Sequence, residues 1–146
     1  MSGHVTGWAQ KVNSLLAAAM VALAVAWALD LPGLLGRAFY REQMLAIVLG
    51  LAGVITFLGT SWRGERRGSP SLIDILLAGL FATAMVYVAA DYRYLLVAIA
   101  MRPPEIVVLA GVIFLCVMEI LRRRAGWLLF SIILAFVIYG LAAHLV

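Results

Sequence analysis

Long apolar segments constrain this chain more than any other feature of its sequence. Each is close to the roughly 20 residues that an α-helix needs to cross the hydrocarbon core of a bilayer. The run 106–118 has no polar side chain, so it lacks the alternation of a membrane β-strand. Helices satisfy their own backbone hydrogen bonds and are the expected structure in lipid. Five spans are predicted: Val12–Leu29, Gln43–Trp62, Leu72–Ala90, Glu105–Leu121 and Ala125–Val146.

Composition excludes most soluble classes of protein. Hydrophobic residues make up 66% of the chain and charged residues 12%, against about a half and a quarter in soluble domains. This excludes a soluble enzyme, a disordered chain and a nucleic-acid-binding domain, so no nucleic acid partner is expected. A single cysteine, Cys116, excludes a disulfide scaffold. The predicted fold class is all-α, a polytopic membrane helix bundle with four to five transmembrane helices in one domain, 1–146.

The basic residues predict an orientation. The formal net charge is +4, which we interpret as loop arginines facing anionic lipid and the cytoplasm. Seven basic residues fall on one side of the predicted spans and four on the other. The richer side holds Lys11, Arg63, Arg66, Arg67, Arg122, Arg123 and Arg124, and the poorer side holds Arg37, Arg41, Arg93 and Arg102. The positive-inside rule then places the N-terminus in the cytoplasm and the C-terminus outside.

Two features flank the third span. Ser71 and Asp74 have the spacing of a helix N-cap and its partner, and an ion-binding role for Asp74 is the alternative. Beyond this span, the link Asp91–Pro104 contains the apolar stretch Tyr94–Met101, which is too short to cross a bilayer. We expect residues 92–103 to form an outer interfacial segment, either a short helix lying on the membrane or a contact for a partner.

Glu119 is the one acid well within an apolar run, and such an acid is a candidate functional residue. Arg122 and Arg123 follow it by three and four residues, which places all three side chains on the same helix face. We therefore expect structural ion pairs, with a proton-carrying carboxylate as the alternative. Arg124 completes the basic link that is predicted before the fifth span.

Small residues on the first span suggest a packing surface. Ala18, Ala22 and Ala26 recur every four residues, so they share one face and allow a second helix to approach closely. Packing within the bundle and packing against a second subunit both remain open.

Chemistry-bearing residues are sparse. The two histidines, His4 and His144, stand at opposite ends of the chain, and no metal-ligand spacing is present, so neither metal nor cofactor is expected. No span has an internal proline or a charge at its centre, as a transporter core would require. These absences indicate an accessory or scaffold subunit, and no catalytic residue is predicted.

The last two predicted spans contain a recognisable segment. Residues 117–128 resemble part of the membrane component of TRAP transporters of the TAXI branch, in which a Leu-Glu-x-x-Arg-Arg pattern precedes Gly-Trp. The matching positions are Glu119, Arg122, Arg123, Gly126 and Trp127. Weaker similarity extends over residues 12–146 and includes Ile73-Asp74, Tyr87, Tyr92 and the run Arg37–Tyr40. Phe130 stands where the family usually has proline, and the large transport domain usually fused to this region is not in the sequence.

This resemblance implies the small membrane subunit of a tripartite secondary importer in the bacterial inner membrane. Such a subunit would hold a large transport subunit that takes up organic acids, dicarboxylates among them, from a periplasmic substrate-binding protein with an ion gradient. The cluster Glu119, Arg122, Arg123 and Arg124 would fix the hairpin into the last span. The outer links Leu31–Glu42 and Asp91–Pro104 would face the binding protein.

Two other functions stay open. A stand-alone small proton-coupled exporter would need Glu119 as its titrating acid. A membrane anchor subunit of a respiratory enzyme would need histidines within its spans if it carried haem, and the positions of His4 and His144 argue against that.

Overall fold

The fold is known from a computed structural model that describes residues 8–34, 40–62 and 70–143. These residues form six α-helices and no β-strand, which confirms the all-α class. Helices α1, α3, α4 and α6 are long and apolar enough to cross a membrane. The helices are α1 (Trp8–Ala28), α2 (Leu31–Leu34), α3 (Arg41–Gly59), α4 (Leu72–Ala90), α5 (Tyr92–Met101) and α6 (Pro104–Ala142).

Among the described helices, α3 and α4 form the most extensive contact. Gly50 and Gly53 lie buried on the face of α3 that meets α4. A Cβ atom at Gly53 would lie 2.2 Å from Cε1 of Phe81, so only glycine permits this approach. The rings of Phe57 and Phe81 are fully buried and pack edge to face with centroids 6.2 Å apart.

Helix α1 packs against α3, but not through its alanine stripe. Ala9 is buried, and the Asn13 side-chain amide lies 3.4 Å from the Ile55 carbonyl oxygen to which it donates. Ala18 and Ala22 are exposed. Ala26 is only partly buried. The alanine stripe does not pack within the bundle of described residues, where α3 makes the close small-residue contact, and its packing against a second subunit stays a prediction.

The outer segment is helical, as expected. Asp91 alone separates α4 from α5, and Arg102 ends α5 in the left-handed conformation with φ of 47°. Helix α6 then begins at Pro104, where the missing N–H costs nothing, and Glu105 occupies its first turn. The segment thus forms the short apolar helix α5, and its position on the membrane surface or against a partner stays a prediction.

Helix α6 differs from the prediction of two spans separated by a link at residues 122–124. It runs over 39 residues and stays helical through Arg122–Arg124. The interruption comes later, at Gly126, with φ of 81° and ψ of −179°. The helix persists because Glu119 pairs with arginines one turn further on. The chain can break at residue 126 because glycine adopts this backbone conformation readily.

Candidate functional site: a buried arginine–carboxylate cluster

Four charged side chains meet at the end of the bundle where α3 ends and α4 begins. Asp74 comes from the first turn of α4, and Glu119, Arg122 and Arg123 come from α6. We refer to these four residues as the arginine–carboxylate cluster. Charged groups at such a position need partners, because neither lipid nor a packed interior solvates them.

The pairing predicted within α6 is formed. Arg122 Nη2 and Arg123 Nε each lie 2.7 Å from Glu119 Oε1. Arg122 Nε also donates to Glu119 Oε2 at 2.8 Å, so the Arg122–Glu119 contact is bidentate. Both oxygens of Glu119 are therefore occupied by guanidinium donors.

Arg123 joins three helices. Its side chain is fully buried, and its Nη1 donates to Asp74 Oδ1 at 2.7 Å and to the Thr60 carbonyl oxygen at 3.0 Å. Thr60 is the C-cap of α3, whose end carries partial negative charge, and Asp74 lies at the positive end of α4. The guanidinium of Arg123 thus ties the end of α3 to the start of α4, while its Nε holds Glu119 on α6.

Asp74 has two roles, and the sequence predicted one of them. Its Oδ2 accepts a hydrogen bond from the Ser71 backbone N–H at 3.1 Å, so the predicted cap contact is confirmed. Its Oδ1 pairs with Arg123, which is 49 residues away in the sequence. The concentration of acidic and basic residues near the helix ends indicates that ion pairs could form there. Spacing along the chain, however, cannot identify a partner on another helix, so the pair of Asp74 with Arg123 was not predicted.

Aromatic rings border the cluster. The guanidinium carbon of Arg122 lies 4.2 Å from the ring centroid of Trp62 and 5.2 Å from that of Trp127. Arg123 lies 5.2 Å from the ring centroid of Phe57, which belongs to the α3–α4 core. Trp127 from the matching Gly-Trp pair therefore contacts the cluster, and the glycine before it supplies the turn.

Arg124 stands apart from the cluster. Its side chain is exposed, and its Nε donates to the hydroxyl of Thr56 at 3.1 Å. That hydroxyl in turn donates to the Ala52 carbonyl oxygen at 2.8 Å. Among the described residues, Arg124 forms no ion pair.

At the opposite end of the bundle, where α3 begins and α4 ends, the described helices are joined by individual hydrogen bonds rather than by a network of ion pairs. The Gln43 amide donates to the Ala89 carbonyl oxygen at 2.6 Å, which joins the start of α3 to the end of α4. The Tyr94 hydroxyl donates to Glu105 Oε1 at 3.1 Å, and this hydrogen bond raises the pKa of the Tyr94 phenol. The second contact links α5 to α6, and neither contact involves a buried charge.

The described residues contain no group of three or more His, Cys, Asp or Glu side chains arranged to hold a metal ion. Several residues used in the predictions lie outside the described ranges: His4, Arg37, Arg63, Arg66, Arg67 and His144. The arrangement of the cluster supports structural roles, since its charges face one another and the ends of helices.

Comparison of the chain with protein-family models, with curated proteins and with solved structures gives no match. The all-α membrane fold follows from the structure, and the resemblance of residues 117–128 to TRAP components remains an expectation from the sequence.

Proposed function

We propose that this chain is the small membrane subunit of a TAXI-type TRAP importer in a bacterial inner membrane. In this role it scaffolds a large transport subunit and performs no transport chemistry itself. The large subunit receives organic acids, dicarboxylates among them, from a periplasmic substrate-binding protein and moves them with an ion gradient. The N-terminus lies in the cytoplasm, as the distribution of basic residues favours.

One observation carries the proposal. The charged residues in the segment that resembles TRAP components are engaged in structural contacts, and Gly126 and Trp127 form the turn beside them. Glu119, which a proton-coupled exporter would need, has both oxygens bound by arginine. Those contacts favour a scaffold over an exporter.

The second half of α6 supports the same role. Most of its large apolar side chains are exposed, with Leu128 at 78%, Phe136 at 72% and Tyr139 at 73%, and the others are partly exposed. Among residues 127–142 none is buried. This segment offers a continuous apolar surface to lipid on one side and a larger membrane protein on the other.

Affinity purification in mild detergent tests the assembly. We expect a large polytopic membrane protein to co-purify with the chain, and an extracytoplasmic substrate-binding protein to bind the pair. Arg93→Ala, at the opposite end of the bundle from the cluster, serves as a purification control for variants of the cluster. Recovery of the chain alone from its native membrane would contradict the proposal.

Reconstitution in liposomes tests the division of labour. We expect uptake only when the large subunit and the binding protein accompany this chain. Proton-linked transport by this chain alone, abolished by Glu119→Gln, would replace the proposal with the exporter. A visible-range haem spectrum in the purified chain would instead support an enzyme anchor.

A further inference from the structure

A cavity of about 600 Å³ lies beside the cluster, between the end of α3 and the turn at Gly126. Its lining includes Trp62, Trp127 and the three consecutive arginines at 122–124. We refer to this cavity as the basic pocket. Arg122 and Arg123 of the cluster form one part of its wall, and Arg124, which makes no ion pair with the described residues, forms another.

Among the residues that the structure describes around the basic pocket, positive charges outnumber negative ones. Asp74 and Glu119 supply two negative charges, and they pair with Arg122 and Arg123. Arg124 adds a third positive charge, and its side-chain contact is the neutral hydroxyl of Thr56. Two carboxylates and three guanidiniums leave one excess positive charge among these five groups, and it lies on the exposed arginine.

One hydrogen-bond donor of a residue that lines the pocket is also without an acceptor. Arg123 Nη2 is buried and has no hydrogen-bond partner among the described residues. An unpartnered donor in a buried position has a substantial energetic cost. The residues that line the pocket therefore carry an excess positive charge and include one arginine with an unpartnered donor atom, and a phosphate or carboxylate group has the complementary chemistry.

The surface around the basic pocket indicates the depth in the membrane at which a bound anion would lie. Trp62 and Trp127 are 62% and 66% exposed. Indole rings favour the headgroup level, because they have an apolar body and a polar N–H. Leu128, directly after the pocket, is 78% exposed and begins the apolar surface of residues 127–142. A phosphate at Arg124 would thus have room for acyl chains along the second half of α6.

We propose that the basic pocket binds the phosphodiester of an anionic phospholipid, with Arg124 as its principal cation. Basic pockets between membrane helices are suited to such headgroups. The lipid supplies the negative charge that the pocket lacks and covers the apolar surface beyond Gly126. This inference concerns lipid, and it holds or fails independently of the transporter assignment.

Lipid titration of the purified, delipidated full chain with its co-purifying partners tests the proposal. Phosphatidylglycerol and phosphatidylcholine of matched acyl chains are titrated in detergent, and bound lipid is counted by native mass spectrometry. We expect phosphatidylglycerol to bind more tightly, and Arg124→Gln to weaken it about fivefold. Arg124→Lys keeps most of the affinity, and Arg93→Gln at the other end of the bundle leaves it unchanged.

Each of the following results would overturn the proposal. Equal binding of the two lipids would remove the role of charge, as would wild-type affinity in Arg124→Gln. Equal protection against thermal unfolding by inorganic phosphate, at the concentration of the lipid, would make the site one for a free anion. Unchanged lipid binding in Arg124→Gln, together with loss of the co-purifying partner, would assign the pocket to an acidic protein surface.

Discussion

The two halves of α6 are both largely apolar, but they differ in charge and in how far they contact other helices. Residues 104–125 pack against α3 and α4, and they include the buried residues Cys116, Met118 and Arg123. Residues 127–142 are also largely apolar, have no charged side chain and contain no buried residue. Gly126 is the boundary between them. Hydrophobicity thus places both halves in the membrane, but it does not determine which half belongs to the bundle.

Polar contacts make the difference between the halves. The first half contributes Glu119 and Arg123 to the cluster, which binds the ends of α3 and α4. The second half has one side-chain hydrogen bond, from Ser131 to the Trp127 carbonyl oxygen within the same helix. The half that makes ion pairs is the half that is buried against other helices. Lipid surrounds an apolar side chain as favourably as a neighbouring helix does, but it cannot solvate a charge.

The largest expected effect comes from removing the link that holds the first half. Arg123→Ala leaves Asp74 without its cationic partner and leaves Glu119 with Arg122 as its remaining arginine partner. Breaking a buried ion pair by removing one partner costs about 3–5 kcal/mol. We expect a loss of that size in the free energy of unfolding in detergent, measured by denaturant titration. Arg41→Ala, at an exposed site, is the control, and equal stability of the two variants would contradict the role of the cluster.

Gly126→Ala tests the boundary itself. No atom lies within 4 Å of a Cβ placed there, so the effect would come from the backbone alone. A non-glycine residue in this conformation costs about 1–3 kcal/mol. We expect either that loss of stability or a straightened α6, seen as a changed distance between spin labels at Leu76 and Ile138. Gly111→Ala, in the regular part of the helix, should leave the spin-label distance unchanged and cause no loss of stability, because alanine favours the helix.

Gly53→Ala tests how closely the first half of α6 packs against α3 and α4. Its Cβ would meet Phe81 and lie 3.0 Å from Ile120 Cδ1 of α6. Overpacking of this kind costs about 1–3 kcal/mol. Gly79→Ala in α4 meets no atom within 4 Å and gains the same helix propensity, so the difference in unfolding free energy between the variants isolates the clash. Equal stability would show that the α3–α4 contact is looser than described.

The smallest effect on stability is expected in the second half. Phe136→Ala should change the unfolding free energy of the isolated chain by no more than about 0.5 kcal/mol, because the ring is 72% exposed. Phe81→Ala, which removes a fully buried ring, should cost about 3–5 kcal/mol. If residues 127–142 face a partner subunit, Phe136→Ala reduces its co-purification. A large loss of stability in the isolated chain would instead mean that the second half packs on the bundle.

Local features of the structure were predictable from the sequence. The α4 bounds Leu72–Ala90, the short outer helix and the Glu119 ion pairs were all expected. Each depends on distances that helix geometry fixes within a few residues. The link expected at Arg122–Arg124 was wrong for a related reason: a run of charges looks like a loop in a hydropathy pattern, although its pairing one turn back keeps it helical.

The sequence by itself determined that the chain forms apolar helices and that charges collect at their ends. Only the tertiary structure decided that Arg123 meets Asp74 across 49 residues, and that Gly50 and Gly53 provide the close contact rather than Ala18 and Ala22. Small residues and charges have similar patterns on every span. Which of them meet depends on how the helices are rotated and packed. That packing is determined by how closely two helix backbones can approach and by the free-energy cost of leaving a charge unpaired.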